Sequence, residues 1–227
     1  MPNKNIRMLL GKPLLVHSIE HAQQSGLFER IAVSSDSAEI LAVARAAGVN
    51  DIIERPLEMA SDTAAKVPAI LHALTVVESG SGTEFDTLVD IDATSPLRLV
   101  EDVVNAVHLL EHAGSSSVIT GAPSHRSPYF NMVEQSPDGS VRLSKELAVG
   151  IVRRQDAPPT FDMNASIYVW RTDEFRRNPR VFYSDTRLYE MPRERSIDID
   201  APHDFEVVEF IVRRRSMKKE VSDGCES

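Results

Sequence analysis

Cysteine is nearly absent from this sequence. The chain of 227 residues has one cysteine, Cys225, so no disulfide can form within it. A lone cysteine in a polar tail is typical of a protein from a reducing compartment, and we expect a cytoplasmic location. The sequence also lacks a run of about 18 apolar residues, the length that a membrane-spanning helix needs. We therefore expect no membrane partner.

Positive charge is also scarce. The chain carries 25 basic and 34 acidic residues, which gives a formal net charge of −9 at pH 7. Broad nucleic-acid binding needs a basic surface, so this balance argues against a nucleic-acid partner. Hydrophobic residues make up 42% of the chain, enough for the core of one large domain. We expect a single domain over residues 1–212 and a polar C-terminal tail over 213–227.

Apolar segments of two kinds alternate along the first half of the chain. Short runs rich in β-branched residues are typical of strands, and longer runs with helical spacing are typical of helices. The predicted strands are 30–35, 51–54, 87–92 and 116–120. The predicted helices are 13–25, 37–47, 63–77 and 100–112. This alternation predicts an α/β fold with a doubly wound, mostly parallel sheet, whose ligands bind at the carboxyl ends of the strands.

The rhythm changes between about residues 123 and 162. Five prolines fall in this stretch, and Pro137–Gly139 is a turn signal between two short β-rich runs at 129–134 and 140–143. We interpret the stretch as an inserted lobe. The predicted core resumes with strands at 165–170 and 188–191, and Pro202 opens a last helix.

A polar turn follows the predicted strand 87–92. Thr94-Ser95-Pro96-Leu97-Arg98 joins that strand to the next helix, and such a turn offers backbone N–H groups to an anion or a ligand. On local grounds, the alternative is that Ser95 caps the helix, with Pro96 at its first position.

Two aspartates stand two residues apart near the C-terminus. Asp198 and Asp200 would point to the same side of an extended segment, and two close carboxylates need a cation or a proton between them. Mg²⁺ binds through one or two carboxylates together with phosphate oxygens, so these residues are candidate magnesium ligands. The alternative is that Asp200 caps the helix that Pro202 opens. Arg153, Arg154 and Gln155 could recognise a carboxylate or phosphate, or simply be solvated.

Read together and in order, the motifs resemble one family. They are Lys4-Asn5, GKPL at 11–14, VSSD at 33–36, SDTAA at 61–65, TSPLR at 94–98, HRSPY at 125–129, RRQ at 153–155, NASIYV at 164–169 and RSIDID at 195–200. This series is similar to the acylneuraminate cytidylyltransferases, the CMP-sialic acid synthetases. The resemblance implies a homodimer in which the inserted lobe exchanges between subunits. It also implies that CTP and a 2-keto-sugar acid react, with Mg²⁺, to give a CMP-sugar and pyrophosphate.

The resemblance assigns a role to each matching residue. The implied nucleotide contacts are Lys4 and Asn5, with Asp62 and Thr63 near the ribose or base. The implied sugar contacts are Asp92, Thr94, Ser95, Arg98, Gln155 and Asn164. Arg154 would approach the sugar carboxylate, across the dimer, and counts with Asp198 and Asp200 as a catalytic residue. Asp198 and Asp200 would hold Mg²⁺, with Asp200 the stronger candidate.

Three departures from the family pattern carry expectations. The family begins with a strand and a loop of the form A-R-x-G-S-K-x-x-P-x-K-N, and this sequence has only the end of that loop. We therefore expect Met1 to be an internal methionine. We also expect a chain without the loop to be less stable and nearly inactive. Asp92 replaces a usual glutamine, which favours a legionaminic-type sugar. Asp162 and Ala65 replace a usual arginine and serine.

Two other functions remain open from the sequence. A cytidylyltransferase for the eight-carbon lipopolysaccharide sugar acid is the nearest enzymatic alternative. A non-catalytic dimeric binder of nucleotide or sugar is the other, since the phosphate loop is incomplete.

Overall fold

A computed structural model describes residues 3–60, 66–147 and 153–223 of the chain. The helices are α1 (Leu14–Ser25), α2 (Ala38–Ala46), α3 (Lys66–Ser81), α4 (Val100–Ala113), α5 (Thr172–Arg177) and α6 (Pro202–Asp223). The strands are β1 (Met8–Leu9), β2 (Lys12–Pro13), β3 (Ala32–Ser35), β4 (Asp51–Glu54), β5 (Thr87–Ile91), β6 (Ser117–Pro123), β7 (Val133–Gln135), β8 (Val141–Leu143), β9 (Phe161–Arg171) and β10 (Arg187–Glu190). Short 3₁₀ turns cover Lys4–Ile6, Leu57–Met59, Arg154–Asp156 and Arg193–Arg195.

The largest sheet has four strands in the order β10-β6-β9-β5. β10 pairs with β6 in parallel, whereas β9 is antiparallel to both of its neighbours, β6 and β5. Three of the four strands therefore run in one direction. β3 and β4 form a separate parallel pair. The predicted α/β class with a mostly parallel sheet is confirmed, and the reversed central strand β9 is a feature that the sequence pattern did not indicate.

β9 builds core on both faces of the sheet because its side chains alternate. Ile167 and Val169 pack with α4 on one face, in a cluster that includes Val103 and Leu110. Tyr168 and Trp170 pack on the other face, where Leu74 of α3 and Phe175 of α5 cover them. Helices thus lie on both faces, as in a doubly wound fold.

Local sequence signals set several helix ends. Gly26 and Gly114 adopt left-handed φ values of 65° and 59° after α1 and α4, a conformation that glycine reaches without strain. The interpretation of Ser95 as a cap is wrong, because α4 begins at Val100 and the carboxylate of Asp102 accepts the N–H of Leu99 at 2.8 Å.

The last helix is longer than its apolar pattern indicated. α6 continues past residue 212 to Asp223. The guanidinium of Arg215 donates to the carbonyl oxygens of Leu97 at 3.0 Å and Glu194 at 3.3 Å, so the helix still packs on the domain beyond the predicted boundary.

The stretch between β6 and β9 contains the expected hairpin. β7 and β8 pair in antiparallel register, with Val133 opposite Leu143, around the turn that was predicted at Pro137–Gly139. Several large apolar side chains of this lobe are exposed: Phe130, Met132, Val133, Val141, Leu147 and Phe161. The exchange of the lobe between subunits stays a prediction.

A cavity of about 550 Å³ lies between the four-stranded sheet and the β3–β4 pair. It is lined by the whole of β3 and β5 and by one side of α3. Among the described residues, β3 pairs only with β4, and β5 only with β9. Two strand edges therefore border the same cavity.

In the described part of the chain, no helix is both long and apolar enough to cross a membrane.

Candidate active site

Polar residues gather at one end of the cavity, where β3 and β5 finish. Ser35 ends β3 and Asp36 follows it, Asp92 follows β5, and Asn5 from the first 3₁₀ turn completes this rim. The carboxyl ends of neighbouring strands form the usual ligand site of such folds. The structure thus brings Asn5 and Asp92, predicted from separate motifs, to one cavity.

Asp92 is held by partners on both of its carboxylate oxygens. Oδ1 accepts the backbone N–H of Thr94 at 3.0 Å and its hydroxyl at 2.8 Å, and Oδ2 lies 3.1 Å from the ammonium of Lys66. Burial alone would raise the pKa of Asp92, but Lys66 and Thr94 outweigh it and keep the pKa below its usual value. Asp92 is therefore a fixed, ionised acceptor at the rim.

Lys66 and Asp90 are site residues that the sequence reasoning missed. The ammonium of Lys66 also lies 2.6 Å from Asp90 Oδ2 and 4.8 Å from the centre of the Tyr168 ring. Burial acts to lower the pKa of Lys66, yet the two aspartates raise it, so the lysine stays charged. One sequence signal existed: a lysine in the first turn of a helix opposes the helix dipole.

Arg98, the last residue of the polar turn 94–98, is buried and holds the turn in place through hydrogen bonds. It is 1% exposed, and its guanidinium donates to the hydroxyls of Ser166 at 3.0 Å and Ser18 at 2.8 Å, and to the carbonyl oxygen of Asp92. Burial lowers the pKa of Arg98 to about 10, which leaves it charged at neutral pH. Ser95 is fully buried beside it, and its hydroxyl has no hydrogen-bond partner among the described residues. Their contact with a sugar stays a prediction.

The segment with the paired aspartates lies against the same turn. The N–H of Ile199 donates to the carbonyl of Thr94 at 3.0 Å, and the Ile199 side chain is buried between β1, α1 and α6. Asp198 and Asp200 flank this anchor in the chain. The interpretation of Asp200 as a helix cap is wrong, since the carboxylate of Asp204 accepts the N–H groups of Asp200 and Ala201.

The two aspartates differ in their surroundings. Asp198 is half-buried, and its Oδ1 is buried with no hydrogen-bond partner among the described residues. Burial raises the pKa of Asp198, and the charges of Asp92 and Asp200 add to this effect, while Thr94 and Lys4 oppose it. The Asp200 side chain is 79% exposed and lies 3.4 Å from the ammonium of Lys4, which also donates to the carbonyl of Ile199 at 2.6 Å.

Asn164 connects this segment to the sheet. Its amide nitrogen donates to the hydroxyl of Ser196 at 2.9 Å, and its oxygen accepts from the hydroxyl of Thr120 at 2.6 Å and the N–H of Ser166 at 3.2 Å. These buried bonds make Asn164 a support for residues 196–200. Its predicted contact with the sugar stays a prediction.

The structure describes the remaining predicted residues only in part. Asp62 and Thr63 lie outside the described residues. The backbone of Arg154 and Gln155 forms a 3₁₀ turn, and Gln155 is exposed and is not part of the cavity lining. Their roles stay predictions.

His21 gives the domain an acid-sensitive group. Burial, with the charge of Arg98 next in importance, lowers the pKa of His21 to about 4. The unfolded chain therefore binds a proton between about pH 6.5 and 4 that the folded chain does not, so stability falls as the pH drops through this window. We expect His21→Gln to remove up to about 3 kcal/mol of this acid-linked loss. Urea unfolding at pH 7.5 and pH 4.5 measures it, and an equal acid-linked loss in both proteins would contradict the assignment.

Comparisons with known proteins indicate the family of this chain. A family model described as cytidylyltransferase matches residues 1–220. The post-translational flagellin modification protein B of Campylobacter coli is 38% identical over 216 residues, which cover 95% of this chain and 91% of that protein. The CMP-N,N'-diacetyllegionaminic acid synthase of Campylobacter jejuni is 39% identical over 215 residues, which cover 95% of this chain and 90% of that protein.

A solved structure has the same fold. CMP:2-keto-3-deoxy-manno-octonic acid synthetase complexed with CTP superposes with a TM-score of 0.66 over 95% of this chain and 93% of that one, at 16% identity. At this identity the likeness concerns the fold alone. The family model and the Campylobacter relatives confirm the predicted family: the chain belongs to the cytidylyltransferases and is a nucleotidyltransferase enzyme.

Proposed function

We propose that this enzyme transfers CMP from CTP to a nine-carbon 2-keto-sugar acid. The anomeric hydroxyl attacks the α-phosphate, a new P–O bond forms, the bond to pyrophosphate breaks, and the hydroxyl proton is released. The observation that carries the proposal is that Asp198, Asp200 and Lys4 lie against the polar turn that holds Asp92. A relative named CMP-N,N'-diacetyllegionaminic acid synthase supports the choice of sugar class.

Asp198 and Asp200 fit a divalent cation. The unpartnered buried oxygen of Asp198 and its raised pKa are what a carboxylate would show when a cation is its proper partner. In the described part of the chain, no group of three or more His, Cys, Asp and Glu side chains could hold a metal by itself. This suits Mg²⁺, which takes one or two carboxylates and completes its shell with water and phosphate oxygens. Bound there, it would neutralise charge on the phosphates.

The chain's own residues would position the reactants. Lys4, already beside Asp200, is a cation for the triphosphate, and Asn5 is a polar contact at the cavity rim. The bond from Ile199 to Thr94 holds the two aspartates at a fixed place relative to Asp92. Such positioning and charge neutralisation supply most of the catalysis in phosphoryl transfer.

Asp92 should set the choice of sugar. An ionised carboxylate accepts hydrogen bonds and donates none, so it favours a sugar acid with an additional amide N–H. We expect a specificity constant for N,N'-diacetyllegionaminic acid about tenfold or more above that for N-acetylneuraminic acid. Pyrophosphate release with each sugar at saturating CTP measures this ratio. A preference for N-acetylneuraminic acid would overturn the assignment, and no release with either would contradict the transfer itself.

The enzyme is proposed to be a cytoplasmic homodimer. The exposed apolar side chains of the inserted lobe support a dimer, since such clusters usually mark an interface. We expect the purified chain to elute as a dimer and the double variant Val133→Lys/Val141→Lys to elute as a monomer. Leu57→Lys, which changes an exposed leucine outside the lobe, is the matched control. A wild-type monomer, or a dimer that survives both lobe changes, would contradict this.

A further inference from the structure

The ammonium of Lys66 contacts two carboxylates, that of Asp90 in β5 and that of Asp92 just after this strand. Asp90 and Asp92 are two residues apart and share a side, and Lys66 reaches both across the sheet from the start of α3, at 2.6 Å and 3.1 Å. Without this cation the two carboxylates would repel each other. The half-buried Asp198 is also close enough to interact electrostatically with Asp92.

Helix stability does not account for a lysine at this position. A cation in the first helical turn meets the positive end of the helix dipole, and its partial burial costs further free energy. A residue that breaks a local preference in this way often serves the site. Lys66 and both aspartates line the cavity in which the proposed substrates would bind.

The consequence for Asp92 is a restricted acceptor. A carboxylate can accept about four hydrogen bonds. Thr94 occupies two positions on Oδ1 through its N–H and hydroxyl, and Lys66 occupies one on Oδ2. Since both oxygens are held, the carboxylate plane is fixed and one acceptor position on Oδ2 remains.

We propose that Lys66 is a positioning and specificity-determining residue, which fixes the free acceptor position of Asp92 toward an amide N–H of the sugar acid. The inference rests on the proposed function for its substrate. Lys66 acts through Asp92, so its loss affects the sugar that uses this N–H more than one that does not.

The test compares four proteins with the two sugar acids. Lys66→Met keeps most of the length of the side chain and removes the charge. We expect it to lower the ratio of specificity constants for the diacylated over the monoacylated sugar by about tenfold, with the KM for CTP nearly unchanged. Lys66→Arg should keep most of the ratio. Lys66→Met/Asp90→Asn should recover part of it, because the repulsion that displaces Asp92 is removed.

A measurement independent of turnover keeps this inference separate from the proposed function. The Thr94 N–H donates to Asp92, so its hydrogen exchange reports the orientation of that carboxylate. We expect Lys66→Met to speed exchange of this amide about tenfold, while amides at the centre of β9 stay protected. A wild-type enzyme without pyrophosphate release would contradict the proposed function, and the exchange rate would still decide the role of Lys66.

Three results would overturn the inference. Unchanged Thr94 exchange in Lys66→Met would show that Lys66 does not hold Asp92. An equal loss for both sugars would assign Lys66 a general structural role. A raised KM for CTP with unchanged sugar selectivity would place the ammonium on the nucleotide.

Discussion

Replacing Asp198 or Asp200 by asparagine is expected to lower kcat for CMP transfer by about a hundredfold or more, because a neutral amide is a poor Mg²⁺ ligand beside phosphate. Pyrophosphate release at saturating CTP, sugar acid and Mg²⁺ measures this. Glu206→Gln makes the same chemical change at an exposed position on α6 and should leave kcat unaltered.

The two variants should differ in stability. Burial raises the pKa of Asp198, so the folded chain holds a proton on this carboxyl more tightly than the unfolded chain does. The free energy of unfolding therefore falls as the pH rises from the usual pKa of an aspartate through the raised pKa of Asp198. Asp198→Asn should therefore raise the free energy of unfolding at pH 7.5 without Mg²⁺. The exposed Asp200 should give little change. Near-normal turnover in either variant would remove that residue from the site, and a destabilised Asp198→Asn would contradict the assigned electrostatics.

Arg98→Met is expected to destabilise the fold by about 1–3 kcal/mol. The change removes the guanidinium that donates to the hydroxyls of Ser18 and Ser166 and to the carbonyl of Asp92, and among the described residues that carbonyl keeps only the Ser18 hydroxyl as a donor. Denaturant unfolding measures the effect. Arg98→Lys should show an intermediate loss, since an ammonium cannot reproduce the planar fork of donors.

Arg214→Met on the exposed side of α6 is the matched control and should lie within about 0.5 kcal/mol of the parent. A loss of less than about 1 kcal/mol in Arg98→Met would show that the guanidinium is not the support described here.

The order of elements was readable from the sequence because it depends on local periodicity. Strand 51–54 and helix 100–113 appear almost as predicted, and Gly26 and Gly114 end helices where a left-handed residue is needed. The direction of β9 was not readable. A buried strand has the same apolar pattern whether it runs parallel or antiparallel, and the path of the inserted lobe decides its direction.

Part of the site was readable for a different reason. Lys4, Asp92, Asp198 and Asp200 belong to motifs with a known order, and the fold brings them together. The pairing of Lys66 with Asp90 and Asp92 depends on how α3 crosses the sheet, which no local pattern encodes. The burial of Arg98 beneath the turn likewise depends on tertiary packing, and its contact with the sugar stays a prediction.

The products formed from CTP and the sugar acid decide whether the enzyme transfers CMP as proposed. The purified enzyme is incubated with CTP, N,N'-diacetyllegionaminic acid and Mg²⁺, and the nucleotide products are identified by mass spectrometry while pyrophosphate is quantified. We expect a CMP-sugar and pyrophosphate in equal amounts, both dependent on the sugar acid. CTP binding without either product would contradict it and would assign the chain a binding role.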